Sequence, residues 1–236
     1  LYNARCGSCH EHPQGRIPPR SSLRYSPPEN VRHALVDGAM KPMTAGLSDA
    51  DILSLVVFLT GRKPDVATDP MANRCATPAD EVVLSPGDWT STHGDDSNSR
   101  FRSNTGVDAG AISSLQLKWS FAYPGRASGP VTLGGHRVFL ASGSHVVSLD
   151  ASGGCTRWVH PVDGRLVRAV SLATLPVPGA PGRAVLVFGD DSSTVTALDA
   201  GTGEVLWRTR VEEHVLSRIT AAPSIHDGRV FAPISG

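Results

Sequence analysis

The sequence VVSLDASGGCTRW at residues 146–158 returns, without a gap, 49 residues later as VTALDAGTGEVLW at residues 195–207. Both copies hold a Leu-Asp-Ala turn followed by a Gly, and both end on a Trp. Asp and Gly supply the hydrogen bonds and the positive φ that a tight turn needs. Each copy therefore predicts two short strands joined by a turn, and we expect its Trp to fill the space between neighbouring sheets.

Two weaker similarities extend this repeat. Residues 129–139 resemble residues 222–231, and Leu117-Lys118-Trp119 predicts another strand that ends in Trp. Repeats of about 40–50 residues with several short strands each are typical of β-propeller blades. The alternative is an ordinary β-sandwich with a chance internal similarity. A closed propeller needs at least about four blades. The repeats in this sequence make up about two to three blades, so we expect the complete protein to be longer.

The N-terminal region carries the complete C-x-x-C-H motif Cys6-Gly7-Ser8-Cys9-His10. In this motif the two thiols add to the vinyl groups of haem, and the His ligates the iron. A zinc site would need further ligands, and although His12 is near, no second Cys pair follows. A thioredoxin-like redox pair would lie in a βαβ pattern, which is missing. The motif predicts covalent haem c, attached at Cys6 and Cys9 and ligated by His10.

A second axial ligand is expected from the methionines, because Met/His ligation suits electron transfer. Met40 precedes Leu47 by seven residues, as the ligand Met does in many small class I cytochromes c, so Met40 is favoured over Met43. The alternative role for either side chain is core packing.

Two helices are predicted around these methionines. The first begins after Ser26 at Pro27-Pro28-Glu29 and stops near Gly38. The second begins at Ser48, which forms an approximate capping box with Asp51, and closes at Gly61. Its apolar positions have the spacing of a core-facing stripe, namely Ile52, Leu55, Val56 and Leu59.

We predict a helical domain at residues 1–62, a Pro-rich linker at 63–88 and the repeats at 89–236. The chain has 22 Lys and Arg against 22 Asp and Glu, which gives no reason to expect nucleic acid as a partner, and no apolar run is long enough to span a bilayer. Cys75 and Cys155 form either a disulfide or two buried free thiols. Haem attachment and paired thiols suit a periplasmic or secreted protein.

Taken together, the chain resembles the quinohaemoprotein alcohol dehydrogenases, and its domain order resembles the polyvinyl-alcohol dehydrogenase (cytochrome) group. The resemblance rests on the haem motif, on Gly38-Ala39-Met40-Lys41-Pro42, and on the repeat from Ala197 to Trp207. It implies a small all-α class I cytochrome c domain followed by an all-β, eight-bladed propeller that binds pyrroloquinoline quinone (PQQ), with about two to three blades present here.

The resemblance also implies site residues and partners. Arg168 resembles an Arg that contacts the quinone, and Thr220 and Ser235 resemble two further contacts. A blade-edge salt bridge for Arg168, and strand-end hydrogen bonds for Thr220 and Ser235, are the alternatives. The ligands of Ca²⁺ and the catalytic Asp would lie outside residues 1–236, so we expect these residues alone to be inactive.

The implied reaction is oxidation of an alcohol, such as polyvinyl alcohol or a secondary alcohol. Electrons would then pass through the haem to an external acceptor such as a soluble cytochrome c or an oxidase. The alternative is a non-catalytic propeller scaffold fused to an electron-transfer cytochrome c.

Overall fold

A computed structural model describes residues 1–15, 17–64, 69–77, 80–94, 99–103, 105–123, 129–162, 167–177, 180–214 and 216–236. The described helices of four or more residues all lie before residue 62, and the described strands all lie after residue 131. Helices in the N-terminal part and strands in the C-terminal part are the order that the helix signals and the repeats predict.

The N-terminal part is helical. Its elements are α1 (Tyr2–Arg5), α2 (Gly7–His10), α3 (Arg20–Leu23), α4 (Pro28–Val36), a 3₁₀ turn (Lys41–Thr44) and α5 (Asp49–Thr60). In the described part of the chain, every helix is too short or too polar to cross a bilayer.

Local signals set the ends of α5 as predicted. The Ser48 hydroxyl accepts from the Asp51 amide at 3.2 Å, and the Asp51 carboxylate accepts from the Ser48 amide at 3.1 Å, which completes the capping box. The helix ends at Gly61, whose φ of 71° is the left-handed conformation that glycine adopts without strain.

The predicted apolar stripe of α5 packs on α4 to form the helical core. The buried side chains, each at most 9% exposed, are Tyr2, Val31, Leu35, Ile52, Leu55, Val56 and Leu59. The stripe is therefore confirmed, and it fixes the two helices against each other by removing apolar surface from water.

The C-terminal part contains two four-stranded antiparallel sheets with strand orders β1-β2-β3-β4 and β5-β6-β7-β8. The first sheet comprises β1 (Thr132–Gly134), β2 (Arg137–Ser142), β3 (His145–Asp150) and β4 (Thr156–Pro161). The second comprises β5 (Val167–Val177), β6 (Ala180–Asp190), β7 (Thr194–Asp199) and β8 (Val205–Arg210).

Four short strands follow as two antiparallel pairs. They are β9 (Arg218–Ile219), which pairs with β12 (Ile234–Ser235), and β10 (Ser224–His226), which pairs with β11 (Arg229–Phe231). The β1–β2 and β10–β11 hairpins share one register, since Thr132 pairs with Phe139 and Ser224 pairs with Phe231. This agrees with the weaker sequence similarity between these stretches.

The 49-residue repeat is also a repeat in hydrogen bonding. β3 and β4 shift register between Ser148 and Leu149, and β7 and β8 shift between Ala197 and Leu198, which are the matching positions. A four-stranded antiparallel meander that recurs with the same irregularity is the geometry of propeller blades. The prediction of blades is confirmed over the sandwich alternative.

Two Trp side chains, those of Trp119 and Trp158, dock on the Leu-Asp-Ala turn that follows each of them in the chain. The Trp158 indole donates to the Ala200 carbonyl at 3.1 Å, and its ring covers Gly203. The Trp119 indole likewise donates to the Ala151 carbonyl at 3.1 Å, and its ring covers Gly154. The expectation that the repeat's Trp fills the space between neighbouring sheets is confirmed for Trp158, whereas Trp207 is 37% exposed and does not bear it out.

The strand predicted at Leu117-Lys118-Trp119 is wrong, because described residues 115–123 form no strand. A strand needs a hydrogen-bonding neighbour, and no described strand pairs with this segment. It is held instead by the docking of Trp119.

The predicted linker contributes to the packing of the first sheet. We name described residues 70–77 and 80–94 the strap. Cys75 forms a disulfide with Cys155, which settles that open alternative, and the Cys75 amide donates to the Thr156 carbonyl at 3.0 Å. Val82, 4% exposed, packs with Phe139 of one sheet and Leu186 of the other. The domain boundaries themselves stay a prediction.

Candidate functional sites

The C-x-x-C-H motif comprises α2 and Cys6, which lies at the junction between α1 and α2. The amides of Cys9 and His10 both donate to the Cys6 carbonyl, at 3.2 and 3.0 Å. Both cysteines are free thiols, with Cys6 half-buried against the helical core and Cys9 exposed. Burial raises the pKa of the Cys6 thiol.

His10 is held in an orientation that suits metal ligation. Its ring is buried at 9% exposure, and Nδ1 lies 2.8 Å from the Pro18 carbonyl oxygen. Because a carbonyl only accepts, Nδ1 carries the proton of the neutral ring, and Nε2 keeps the lone pair that binds a metal. A partner of this kind is the usual way that a ligand His is fixed.

A cavity of about 650 Å³ adjoins His10. Its described lining is His10, Glu11, Pro19, Arg20, Ser21, Arg24, Phe58, Leu59 and Gly61. Among the residues that the structure describes, no group of three or more His, Cys, Asp or Glu side chains could hold a metal ion. Two thiols beside a His are the groups that haem attachment uses, and the assignment of haem over zinc stays a prediction.

The two methionines differ in their surroundings. Met40 is partly buried and packs against the same helical core as Cys6, whereas Met43 is 48% exposed. The Met43 carbonyl accepts from the Arg5 guanidinium at 3.2 Å, which ties this loop to α1. Neither methionine is among the described residues that line the His10 cavity. The choice of Met40 as axial ligand stays a prediction.

A second cavity, of about 820 Å³, opens where β5, the strap and the segment from β9 to β10 meet, and we name it the interblade cleft. Its described lining is Leu84, Thr90, Ser91, Thr92, His93, Gly129, Pro130, Arg168, Ala169, Ser171, Leu172, Ala173, Thr220, Ala221, Ala222, Pro223, Ser224, Ile225 and His226. No Asp or Glu occurs among these described lining residues, so the charged and hydroxyl groups favour an anionic ligand.

Arg168, at the start of β5, is the only described Lys or Arg that lines the interblade cleft. Its backbone position is tightly defined, because a Cβ added at Gly129 would overlap the Arg168 carbonyl. The side chain is exposed, and no described acidic residue pairs with it. The salt-bridge alternative for Arg168 therefore has no partner within the described part of the chain.

Thr220 and Ser235, the other two residues predicted to contact the quinone, lie together beside the interblade cleft. Thr220 lines the cleft, and its hydroxyl lies 3.3 Å from the Ser235 hydroxyl, which also donates to the Arg218 carbonyl at 3.4 Å. Ser235 is not among the described lining residues. These bonds are the strand-end hydrogen bonding of the alternative interpretation, so a cofactor role for both hydroxyls stays a prediction.

Sequence reasoning missed the wall that the strap contributes. Trp89 accepts from the Leu133 amide of β1, and Thr90 accepts from the Leu172 amide of β5, each through its carbonyl at 2.8 Å. The strap thus lies between the sheets and places Thr90 to His93 in the cleft lining. The Thr92 hydroxyl is shielded from solvent and has no hydrogen-bond partner among the described residues.

Comparison with known proteins finds a family match for the propeller part and relatives that match the whole chain. A sequence-family model named PQQ_2 and described as outer membrane protein assembly factor BamB matches residues 105–234. Polyvinylalcohol dehydrogenases from Pseudomonas sp. and Sphingopyxis sp. (strain 113P3) are 34% and 33% identical to the chain over its whole length. The chain spans 39% and 38% of those two proteins.

A solved structure supports the fold alone. The quinohemoprotein alcohol dehydrogenase ADHIIG from Pseudomonas putida HK5 matches 64% of this chain and 23% of its own, with a TM-score of 0.54 and 19% identity. The repeated blades, the family match and the whole-length similarity together show that this chain belongs to the PQQ_2 family, carries part of a PQQ-type β-propeller, and is related to the polyvinylalcohol dehydrogenases.

Proposed function

We propose that this chain is the haem-bearing and quinone-binding part of an oxidoreductase that oxidises an alcohol. The observation that carries the proposal is that polyvinylalcohol dehydrogenases match all of the chain, including the helical part with its C-x-x-C-H motif. Because those relatives are much longer, the activity, the substrate and the electron acceptor of the whole protein are parts of the proposal.

The helical part fits haem c. Cys6 and Cys9 would form the thioether links, His10 would ligate the iron through Nε2, and Met40 is the proposed second ligand. The Pro18 carbonyl, at 2.8 Å from Nδ1, would hold the ring orientation and raise the basicity of His10. This helical unit would be a small class I cytochrome c domain.

The interblade cleft fits PQQ by the chemistry of its donors. PQQ carries carboxylates, and an Arg guanidinium pairs with a carboxylate through two parallel hydrogen bonds. Arg168 would bind a carboxylate, while Thr220 and Ser235 would supply hydroxyl donors. The unpartnered Thr92 hydroxyl is a further donor that a polar ligand would satisfy.

Bound PQQ would supply a reducible dione for alcohol oxidation, and haem c would supply one-electron transfer. The residues of this chain would bind and orient both groups. We propose Ca²⁺ beside the quinone on the resemblance alone, and we assign none of its ligands to the described residues. The alcohol is a polymer such as polyvinyl alcohol or a secondary alcohol, and the external acceptor is a soluble cytochrome c or an oxidase.

A periplasmic or secreted location follows from the same chemistry. The Cys75–Cys155 disulfide and covalent haem both suit an oxidising compartment. The alternative of a non-catalytic scaffold is not favoured, since the relatives that match the whole chain are dehydrogenases by name.

Equilibrium binding of PQQ to the haem-matured chain tests the proposal. Loss of a hydrogen-bonded charge costs about 1.5–3 kcal/mol, so Arg168→Ala should weaken PQQ binding about tenfold to a hundredfold. Arg208→Ala is the matched control, because Arg208 is exposed on β8 and does not line the cleft. Failure of the unmodified chain to bind PQQ, or equal binding by both variants, would refute the quinone assignment.

A further inference from the structure

The strap ends in a loop, residues 88–94, whose backbone is held by Arg102 and Trp89. The Arg102 guanidinium donates to the carbonyls of Asp88 and Gly94, which closes the loop on itself. The Trp89 ring packs against Gly94, whose φ of 85° and lack of a side chain permit this approach. His93 lies immediately before Gly94, so the same contacts fix its backbone.

A neighbouring arginine defines the tautomer of His93. Arg100 donates from Nε to His93 Nδ1 at 3.1 Å and from its amide to the His93 carbonyl at 3.2 Å. A guanidinium has no acceptor atom, so Nδ1 must accept, and the proton of the neutral ring lies on Nε2. Nε2–H is thereby left as a donor for which no described residue supplies an acceptor.

His93 lines the interblade cleft together with Arg168 and Thr220. The Thr90 carbonyl accepts from the Leu172 amide of β5, four residues beyond Arg168 on the same strand. The strap wall and Arg168 are therefore tied to a common element. The described residues of its lining include no Asp or Glu. The cleft therefore offers hydrogen-bond donors and the positive charge of Arg168 to an anionic ligand.

We propose that His93 is a further cofactor-binding residue of this cleft, whose Nε2–H donates to a carboxylate or carbonyl oxygen of PQQ. Arg100 is a positioning residue that acts by holding Nδ1 as an acceptor. This inference rests on the proposed function, in which PQQ occupies the cleft. It adds the strap, which lies outside the propeller repeats, to the parts of the chain that bind PQQ.

The test is PQQ titration of the full haem-matured chain, with the dissociation constant as the readout. His93→Ala should raise the dissociation constant about tenfold, as expected for loss of a hydrogen bond to a charged group. His93→Gln retains an N–H donor and should recover part of the affinity. His33→Ala is the control, since His33 is exposed on α4 and should leave binding unchanged.

A second readout reports the ring itself. Nitrogen NMR of the histidines should show His93 as the Nε2–H tautomer, with its Nε2 resonance shifting when PQQ is added. Arg100→Ala should mix the tautomers and weaken PQQ binding less than His93→Ala does. The NMR shift decides the matter in the event that His93→Ala does not fold.

The outcomes separate the two proposals. Unchanged affinity in His93→Ala, or an unshifted His93 resonance, would overturn the role of His93 if Arg168→Ala still weakened binding. Absence of PQQ binding by the unmodified chain would overturn the quinone assignment and the role of His93 together.

Discussion

Replacement of Gly203 by Ala should destabilise the propeller part through a clash between two blades. Gly203 has a φ of 77°, and an added Cβ would lie 2.7 Å from Cδ2 of the Trp158 ring. The ring is 7% exposed, and its indole bond to the Ala200 carbonyl, at 3.1 Å, keeps it from moving aside.

The magnitude follows from three contributions. An L-residue in the left-handed region costs about 1–2 kcal/mol, and overpacking of a tight core costs about 1–3 kcal/mol. If the ring moves, the Ala200 carbonyl loses its partner, which costs about 1–3 kcal/mol more. Gly203→Ala should therefore lower the free energy of unfolding by about 3–8 kcal/mol.

Gly143→Ala provides the matched control. Gly143 also has a positive φ, 57°, but no atom lies within 4 Å of its added Cβ, so only the backbone cost of about 1–2 kcal/mol applies. Trp158→Phe keeps an aromatic ring but removes the indole donor, and should cost about 1–3 kcal/mol.

Thermal unfolding followed by circular dichroism in the β-sheet region measures all three variants. A domain of this size shifts by about 2–4 °C for each kcal/mol, so Gly203→Ala should melt roughly 4–24 °C below Gly143→Ala. Equal melting temperatures for these two variants would refute the idea that the Trp–Gly contact locks the blades.

Three further predictions concern stability. Removing the disulfide that fastens the strap, in a Cys75→Ser and Cys155→Ser double variant, should lower the free energy of unfolding by about 2–4 kcal/mol in urea titration, and reduced wild-type protein should match it; equal stability of oxidised wild type and variant would contradict this. Hydrogen bonds from the Ser152 hydroxyl and the Arg157 guanidinium hold the pKa of Asp150 well below its usual range. The stability that ionised Asp150 contributes is therefore present above its unfolded-state pKa near about 4 and is lost as pH falls below that value. Between pH 7 and pH 3, the melting temperature of Asp150→Asn should fall less than that of wild type. Equal falls in melting temperature would argue against this role of Asp150. Ser48→Ala should destabilise α5 by about 1 kcal/mol by hydrogen exchange, whereas Ser54→Ala, at an exposed position within the helix, should have little effect; similar losses would speak against the capping box.

Sequence signals predicted the elements whose causes are local. The capping box at Ser48, the left-handed Gly61 and the apolar stripe between them specify α5 without reference to the rest of the chain. The repeated Leu-Asp-Ala turn specifies both blades in the same way, because Asp and Gly at fixed positions define the turn.

Features that depend on distant partners were harder to predict. Cys75 and Cys155 are 80 residues apart, and nothing in their spacing shows that the strap brings them together. The predicted linker contains prolines and no periodicity, yet Val82 is buried between two sheets. Leu117–Trp119 has a strand-like composition but no neighbouring strand among the described residues.

The candidate sites show the same difference between local signals and distant contacts. Cys6, Cys9 and His10 belong to one turn, so the motif alone predicts their juxtaposition. Arg168 and Thr220 were inferred from resemblance, and the fold brings both to one cleft. His93 gave no sequence signal, because its place in the cleft depends on strap hydrogen bonds to β1 and β5.

The central claim is that one chain holds haem c and PQQ, each in its own part. Native mass spectrometry of the haem-matured chain, incubated with PQQ, tests it most directly. We expect one species with the mass of the chain, one covalent haem and one PQQ, and loss of only the haem in a Cys6→Ala and Cys9→Ala double variant. A haem-free chain from a host that matures c-type cytochromes, or a chain that takes up no PQQ, would contradict the claim.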